Sequence, residues 1–254
     1  MEITQCAVLI SGGGSGMGEA TARRLHQQGA KIAILDINKE SAKKVADDIQ
    51  GIAYHCDVTD EESVRHALEE AEKIHGPARI LVQCAGILNS RRMVNREGPM
   101  PLSEFERIIR VNLIGSFNLM RLASERMLTL EPLLDSKERG VIINTASIAA
   151  FEGQIGQIAY SASKGGIVSM TLPAARELAP FGIRVVTIAP GLVDTPLFQS
   201  LSEKARADLA ESVPFPKRLA HPDEYAKLVA HVIENVMLNG EVIRLDGALR
   251  LQAK

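Results

Sequence analysis

Tyr160 and Lys164 lie four residues apart in Tyr160-Ser-Ala-Ser-Lys164, within a stretch of helical character, so both side chains project from one face. An isolated phenol titrates near pH ~10, and an ammonium held beside it favours the phenolate and is expected to lower that value. Tyr160 then becomes a usable general base. Taken alone, the same spacing also describes a solvated pair on a helix surface, and its surroundings must decide between the two. Ser147 follows the apolar run Val141 to Asn144, at the strand edge where ligands bind in open α/β sheets, and its hydroxyl suits a hydrogen bond to a substrate oxygen. Asn112 stands inside a long helical stretch where neither helix propensity nor burial favours it. A hydrogen-bonding task explains it, either in a site or between two helices.

A second group of residues suits a phosphate. Ser11-Gly-Gly-Gly-Ser-Gly-Met-Gly18 joins an apolar run to a helical stretch, placing Gly12, Gly16 and Gly18 in a tight strand-to-helix turn. Without Cβ atoms the backbone can approach a pyrophosphate, and the helix N-terminus presents free N–H groups and partial positive charge. A Gly-rich turn alone also reads as a flexible loop. Asp36 supplies the context: it ends the next apolar run about 20 residues on, where a carboxylate accepts hydrogen bonds from an adenosine ribose. It would repel a 2′-phosphate, and its neighbours offset this little, since Asn38 is neutral and Lys39 opens the next helix; NAD is expected over NADP. An Asp capping that helix is the competing reading. Asp57 and Val58 either contact adenine or begin a turn.

These groups need a frame. Runs rich in Val and Ile recur at Cys6 to Ile10, Lys31 to Leu35, Ala78 to Val82, Val141 to Asn144 and Ile183 to Ile188, with weaker ones at Ile52 to Cys56 and Glu241 to Leu245. Between them Met17 to Gln28, Lys39 to Ile49, Glu61 to Ile74 and Leu102 to Met127 carry apolar residues three and four apart. Strands buried on both faces and joined by helices cannot pair as hairpins. The expected fold is therefore α/β: a single Rossmann-like domain over residues 1–254, with a doubly wound parallel sheet of about seven strands and helices on both faces. No repeat or linker divides the chain. Asn89 to Pro101, Thr129 to Arg139 and Pro190 to Pro216 are expected as surface excursions without sheet or helix, the first and third on the substrate side.

Composition removes several functions. Lys and Arg total 29 against 31 Asp and Glu, a net charge of −2, so the positive field of a nucleic-acid binder is missing and such a partner is not expected. The six histidines form no paired spacing, and Cys6, Cys56 and Cys84 no Cys-x-x-Cys, so neither a metal site nor a disulfide framework is expected. Cys84 reads either as a reactive thiol or as a small residue lining a cofactor. Ser147 lacks the Gly-x-Ser-x-Gly setting of a hydrolase. No apolar run suits a membrane span, and the few residues before Cys6 leave no room for a leader. A cytoplasmic protein is expected, although one with its leader removed would read the same.

In the order Gly12-x-x-x-Gly16-x-Gly18, Asp36, Asp57, Cys84-Ala85-Gly86, Asn112, Ser147, Tyr160-x-x-x-Lys164, Pro190-Gly191, the chain resembles the short-chain dehydrogenase/reductase family over nearly its whole length. The resemblance implies a catalytic tetrad of Asn112, Ser147, Tyr160 and Lys164, with Tyr160 and Lys164 also touching the cofactor. It implies dinucleotide contacts from the glycine turn, including Ser15 and Met17, from Asp36, Asp57 and Val58, and from Cys84, Ala85 and Gly86. Pro190, Gly191, Val193 and Thr195 would embrace the nicotinamide.

A closer resemblance is to the type-2 short-chain 3-hydroxyacyl-CoA dehydrogenases, also described as hydroxysteroid dehydrogenases. It rests on Gly140-Val-Ile-Ile-Asn-Thr-Ala-Ser147, Ala150-Phe-Glu-Gly153, Ala159-Tyr-Ser-Ala-Ser-Lys-Gly-Gly-Ile-Val168, Thr187-Ile-Ala-Pro-Gly-Leu192, Val213-Pro-Phe-Pro216 and Asn239-Gly-Glu-Val-Ile-Arg-Leu-Asp-Gly-Ala248. Two residues depart from the family pattern: Ser11 replaces the usual Thr and keeps its hydroxyl, and Gln83 stands where Asn commonly precedes Cys-Ala-Gly. The resemblance implies NAD-dependent interconversion of 3-hydroxyacyl-CoA and 3-oxoacyl-CoA, a homotetramer, and a water positioned by Asn112. A hydroxysteroid or 3-oxoacyl-carrier-protein substrate, or a non-catalytic role as an RNA-processing subunit, are the other readings. Arg91, Arg92 and Arg96 either meet CoA phosphates or solvate a loop. Leu192, Leu197, Phe198, Leu201 and Leu209 either form an apolar lid or pack against the body.

Overall fold

Seven apolar runs pair into one sheet in the structure, a computed structural model describing residues 1–196 and 202–253. They are Ala7–Ser11 (β1), Lys31–Asp36 (β2), Ile52–His55 (β3), Ile80–Gln83 (β4), Gly140–Thr145 (β7), Ile183–Pro190 (β8) and Val242–Leu245 (β9). All pair parallel in the order β3-β2-β1-β4-β7-β8-β9. The order reverses between β1 and β4, and ligands of such sheets bind at the carboxyl ends there.

Alternation along each strand feeds two apolar layers. Val8, Ile10, Ile32 and Ile34 face one side, with Leu25 of Gly16–Gln27 (α1), Val45 of Lys39–Asp48 (α2) and Val229 of Pro222–Glu234 (α8). Leu9, Leu35, Leu81 and Ile142 face the other, with Leu68 of Glu61–His75 (α3), Leu119 of Gly115–Met127 (α5) and Ala175 of Ile158–Leu178 (α6). Helices cover both faces, as the sequence predicts.

The connections differ from expectation in three places. Asn89 to Pro101 carries a minimal antiparallel ladder, Val94–Asn95 (β5) with Gly98–Pro99 (β6), where Asn95 Oδ1 accepts from Glu97 N at 2.8 Å. Pro190 to Pro216 contains a helix, Glu203–Glu211 (α7), whose start is capped by Ser202 Oγ accepting from Ala205 N. The expected continuous helix from Leu102 is Leu102–Ile109 (α4), then a π-turn over Arg110–Ile114, then α5. Leu192 packs with Ile148, Val213 and Leu249, which favours the packing reading for that leucine; Leu197, Phe198 and Leu201 lie outside the described residues. Among the described residues no helix is long and apolar enough to cross a membrane.

Candidate active site

β7 ends at Thr145 and the chain turns sharply after it. Ser147 caps the following 3₁₀ turn, Ile148–Ala150, its Oγ accepting from Ala149 N at 3.1 Å while its own proton faces the Tyr160 phenol. α6 then presents Tyr160, Ser163 and Lys164 to this edge. Lys164 is buried, and its Nζ donates to the Thr145 carbonyl at 2.8 Å while standing 5.7 Å from the Tyr160 ring centroid. Burial lowers its pKa to about 8, since an ammonium shut away from water is disfavoured.

The Tyr160 phenol behaves differently from the sequence expectation. Burial pushes it above its usual range, and only the Ser147 hydroxyl draws it back. Helix spacing puts the lysine on the right face, but the ammonium is aimed at Thr145 and lies over the ring rather than at the phenol oxygen.

Asn112 occupies the π-turn, whose widened backbone directs its fully buried side chain between elements. Its Oδ1 accepts from Ile87 N at 2.8 Å, and its Nδ2 donates to Ile87 O at 2.9 Å and to Ser163 Oγ at 3.0 Å. The helix–helix bond anticipated for it is present, to Ser163 of α6, and it also clamps the segment after β4 beside Lys164. Gly86 lies in that segment, where a Cβ would stand 3.3 Å from Asn112 Oδ1 and 3.5 Å from Lys164 Nζ.

The glycine turn closes against the same segment. Gly12 has φ +66°, and a Cβ there would meet Ala85 N at 2.6 Å; a Cβ on Gly18 would meet Gly12 O at 2.1 Å. Ser15 precedes α1 without capping it by its side chain, leaving the helix N-terminus without that partner; Met17 is the second residue of the helix. Gly16 faces Thr195, whose Cγ2 would lie 3.2 Å from a Cβ. Pro190 ends β8, Gly191 N donates to Leu245 O and Val193 bridges to Ala220, and the segment then brings Thr195 and Pro196 against Gly16.

Asp36 ends β2 with both carboxylate oxygens turned to backbone: Oδ2 accepts from Gly14 N at 3.0 Å and Oδ1 from Asn38 N at 2.9 Å. Asn38, not Asp36, caps α2, which removes the capping explanation for the aspartate. Cys56 N donates to Asp36 O, bringing Asp57 and Val58 alongside. Asp57 Oδ1 accepts from Thr59 N and Thr59 Oγ1, the turn-starting geometry, while Val58 is buried against Gly115. Gln83 and Asn144 stand opposite in register and bond at 2.8 Å, in the buried layer below the site. Of the loop arginines, Arg91 pairs with Glu104, whereas Arg92 and Arg96 are exposed.

Two residues escaped sequence reasoning. Thr145 holds Lys164 through its carbonyl, which no side-chain pattern reveals. Tyr225 is fully buried on α8 with its hydroxyl 2.6 Å from Thr145 Oγ1; a tyrosine among the apolar positions of a Pro-started helix was the available signal.

A parallel sheet with a glycine cradle at its switch point, beside a tyrosine and a lysine one helical turn apart, is the frame of a nicotinamide-dependent oxidoreductase. The chain belongs to the short-chain dehydrogenase family: the family model described as short chain dehydrogenase matches residues 6–206. It is 53% identical over 251 residues to the 3-hydroxyacyl-CoA dehydrogenase type-2 of Bos taurus, covering 96% of this chain and 95% of that one. The crystal structure of 3-hydroxyacyl-CoA dehydrogenase type-2 from Mycobacterium avium superposes with TM-score 0.92 at 42% identity, covering 98% of this chain and 97% of that one. That of 3-ketoacyl-(acyl-carrier-protein) reductase from Brucella melitensis complexed with NADH gives 0.86 at 32%, covering 98% and 100%.

Proposed function

We propose that the chain is an NAD-dependent dehydrogenase interconverting 3-hydroxyacyl-CoA and 3-oxoacyl-CoA, with Asn112, Ser147, Tyr160 and Lys164 as its catalytic group. The observation that carries this reading is the meeting of Ser147, Tyr160 and Lys164 at the carboxyl edge of β7, beside the Gly12–Ala85 contact. The residues fit a dinucleotide: the cradle is backbone that a Cβ would fill, and the helix N-terminus behind Ser15 suits a pyrophosphate. Cys84, Ala85 and Gly86 would line it, and Pro190, Gly191, Val193 and Thr195 would cover its nicotinamide end. The uncompensated Asp36 favours ribose hydroxyls over a 2′-phosphate, hence NAD. Asp57 and Val58 would border the adenine.

When bound, the nicotinamide ring accepts or returns the hydride at C3 of the substrate. Ser147 would donate its hydroxyl hydrogen bond to the substrate oxygen and orient it. Tyr160 Oη takes the hydroxyl proton in oxidation and returns it in reduction. Lys164 brings positive charge to this edge and would hold the nicotinamide ribose; Asn112 keeps Gly86, Ile87 and Ser163 in register beside it. An elevated Tyr160 pKa in the free protein must then fall when substrate and cofactor bring further partners to the phenol.

The identity to 3-hydroxyacyl-CoA dehydrogenases type-2 supports a CoA thioester, and the exposed Arg92 and Arg96 can meet its phosphates. A homotetramer is supported by Ile114, Phe117 and Ile158 standing exposed on helical surface, and a reducing compartment by three unpaired cysteines. Initial rates with acetoacetyl-CoA and NADH, beside acetoacetyl-pantetheine and a ketosteroid, test the reading. We expect oxidation of NADH with the CoA ester and a lower kcat/KM on truncation; a steroid turned over while the CoA ester is inert would overturn the substrate assignment.

A further inference from the structure

We infer that Tyr225 is a positioning residue for the catalytic lysine, acting through Thr145 from the opposite face of the sheet. The inference rests on the proposed roles of Tyr160 and Lys164. Tyr225 is fully buried in an apolar layer, where a phenylalanine would serve packing equally well. Its hydroxyl nevertheless finds two partners, and both sit at strand ends that build the site. Thr145 Oγ1 lies 2.6 Å away at the end of β7, and Cys84 Sγ lies 3.7 Å away just beyond β4. Thr145 Oγ1 also reaches Cys84 Sγ at 3.8 Å, closing a three-membered ring: threonine donates to sulfur, the thiol to the phenol oxygen, and the phenol to the threonine. No water is needed to satisfy it.

The ring matters because of what hangs from it. The Thr145 carbonyl is the hydrogen-bond acceptor that the Lys164 ammonium has among the described residues. Cys84 leads directly into Ala85 and Gly86, which close on Gly12 and on Lys164. The phenol therefore fixes the Thr145 side chain against the segment that would carry the cofactor, and so stiffens the end of β7, whose last carbonyl is also held by Ala146 N donating to Ile188 O at 2.8 Å. Without the hydroxyl, Thr145 keeps only the long sulfur contact and its rotamer is freed; the Ala146 N–H still bonds Ile188 O, so the carbonyl stays near Nζ but is held less rigidly against it. A buried ammonium with a poorer acceptor gives up its proton more readily.

The groups around Lys164 are few. Tyr160 stands on its own helix, Cys84 arrives from β4, and Tyr225 acts behind Thr145 from α8; the π-turn contributes the neutral Asn112. Burial pushes Cys84 and Tyr225 above their ordinary ranges, so both stay protonated donors where Lys164 titrates, near 8.

The test is a pH titration of the Lys164 side chain by carbon NMR with [ε-¹³C]lysine in the intact protein, assigned by Lys164→Arg. Tyr225→Phe and Thr145→Val should each move its midpoint down by about 0.5 in pH or more, and Thr145→Ser, which keeps the hydroxyl, should restore it. The ring of Phe preserves the apolar packing, and the two substitutions at Thr145 report independently should Tyr225→Phe fold poorly. A midpoint unmoved in Tyr225→Phe and Thr145→Val, whatever happens to Tm, would overturn the inference. This readout needs no substrate, so inactivity of the wild type toward acetoacetyl-CoA would reject the proposed function while leaving the lysine titration to decide on Tyr225.

Discussion

Replacing Asp36 by asparagine should change which dinucleotide the protein prefers, and the structure sets the size of the change. Asp36 is half-buried at the end of β2, and the partners it has are the Gly14 and Asn38 N–H groups, not a cation. Two like charges about 4 Å apart repel by about 1 kcal/mol at the dielectric of water and about 4 kcal/mol at that of a protein surface. A half-buried carboxylate lies between, so removing its charge relieves a 2′-phosphate by about 1.4–2.7 kcal/mol, a factor of about 10 to 100. Asparagine keeps one acceptor oxygen where the carboxylate has two, so one of the two backbone N–H groups loses its partner, at a cost of about 1 kcal/mol in stability. Initial rates with NAD and NADP on 3-hydroxybutyryl-CoA give the ratio of kcat/KM. The wild type should prefer NAD, and Asp36→Asn should shift the ratio toward NADP by about 10- to 100-fold. A wild type indifferent to the 2′-phosphate, or a ratio unchanged by the substitution, would refute the electrostatic reasoning.

Three further outcomes follow from packing and charge. Gly18→Ala places a Cβ 2.1 Å from Gly12 O, so the turn must move, and NADH affinity measured by fluorescence should fall about 10-fold or more. Lys164 holds its proton less tightly when folded, at about 8 against 10.5 for an ordinary lysine, so its own contribution to stability should rise with pH between those values, against the opposite contribution of the buried thiols, whose pKa values burial raises. In urea denaturation at pH 8 and 10, Lys164→Met should therefore gain less stability, or lose more, between the two pH values than the wild type does, and it should abolish turnover. Arg206 on α7 pairs with Asp194 at 2.7 Å, each partly exposed, which ties that helix to the segment before Thr195; Arg206→Ala should alter KM by about two- to five-fold and leave Tm within a degree or two.

The sheet was legible because its strands are buried on both faces. Val8, Ile10, Ile32 and Ile34 on one side and Leu9 and Leu35 on the other make continuous apolar runs, and all seven runs, including the weaker Ile52 and Glu241 segments, became parallel strands. Short-range pattern did less well where geometry is local. The π-turn at Asn112 has the same apolar spacing as an α-helix, and α7 is a mostly polar helix between proline-marked ends. In the site, helix spacing was enough to place Tyr160 and Lys164 on one face. It carries no information on burial, so it missed that the phenol is raised and that the ammonium is spoken for by a backbone carbonyl. Tyr225 was out of reach for a related reason: its importance comes from a helix 65 residues beyond Tyr160 packing under the sheet edge, a long-range contact that no motif encodes.

The decisive measurement follows deuterium from C3 of 3-hydroxybutyryl-CoA in the wild type and in Tyr160→Phe. The wild type should deliver the label to NADH, and Tyr160→Phe should turn over at least about 10²-fold more slowly while binding NADH within about two-fold of the wild type. Label released to solvent by the wild type, or turnover retained without the phenol, would contradict a proton passing to Tyr160 as the hydride leaves C3.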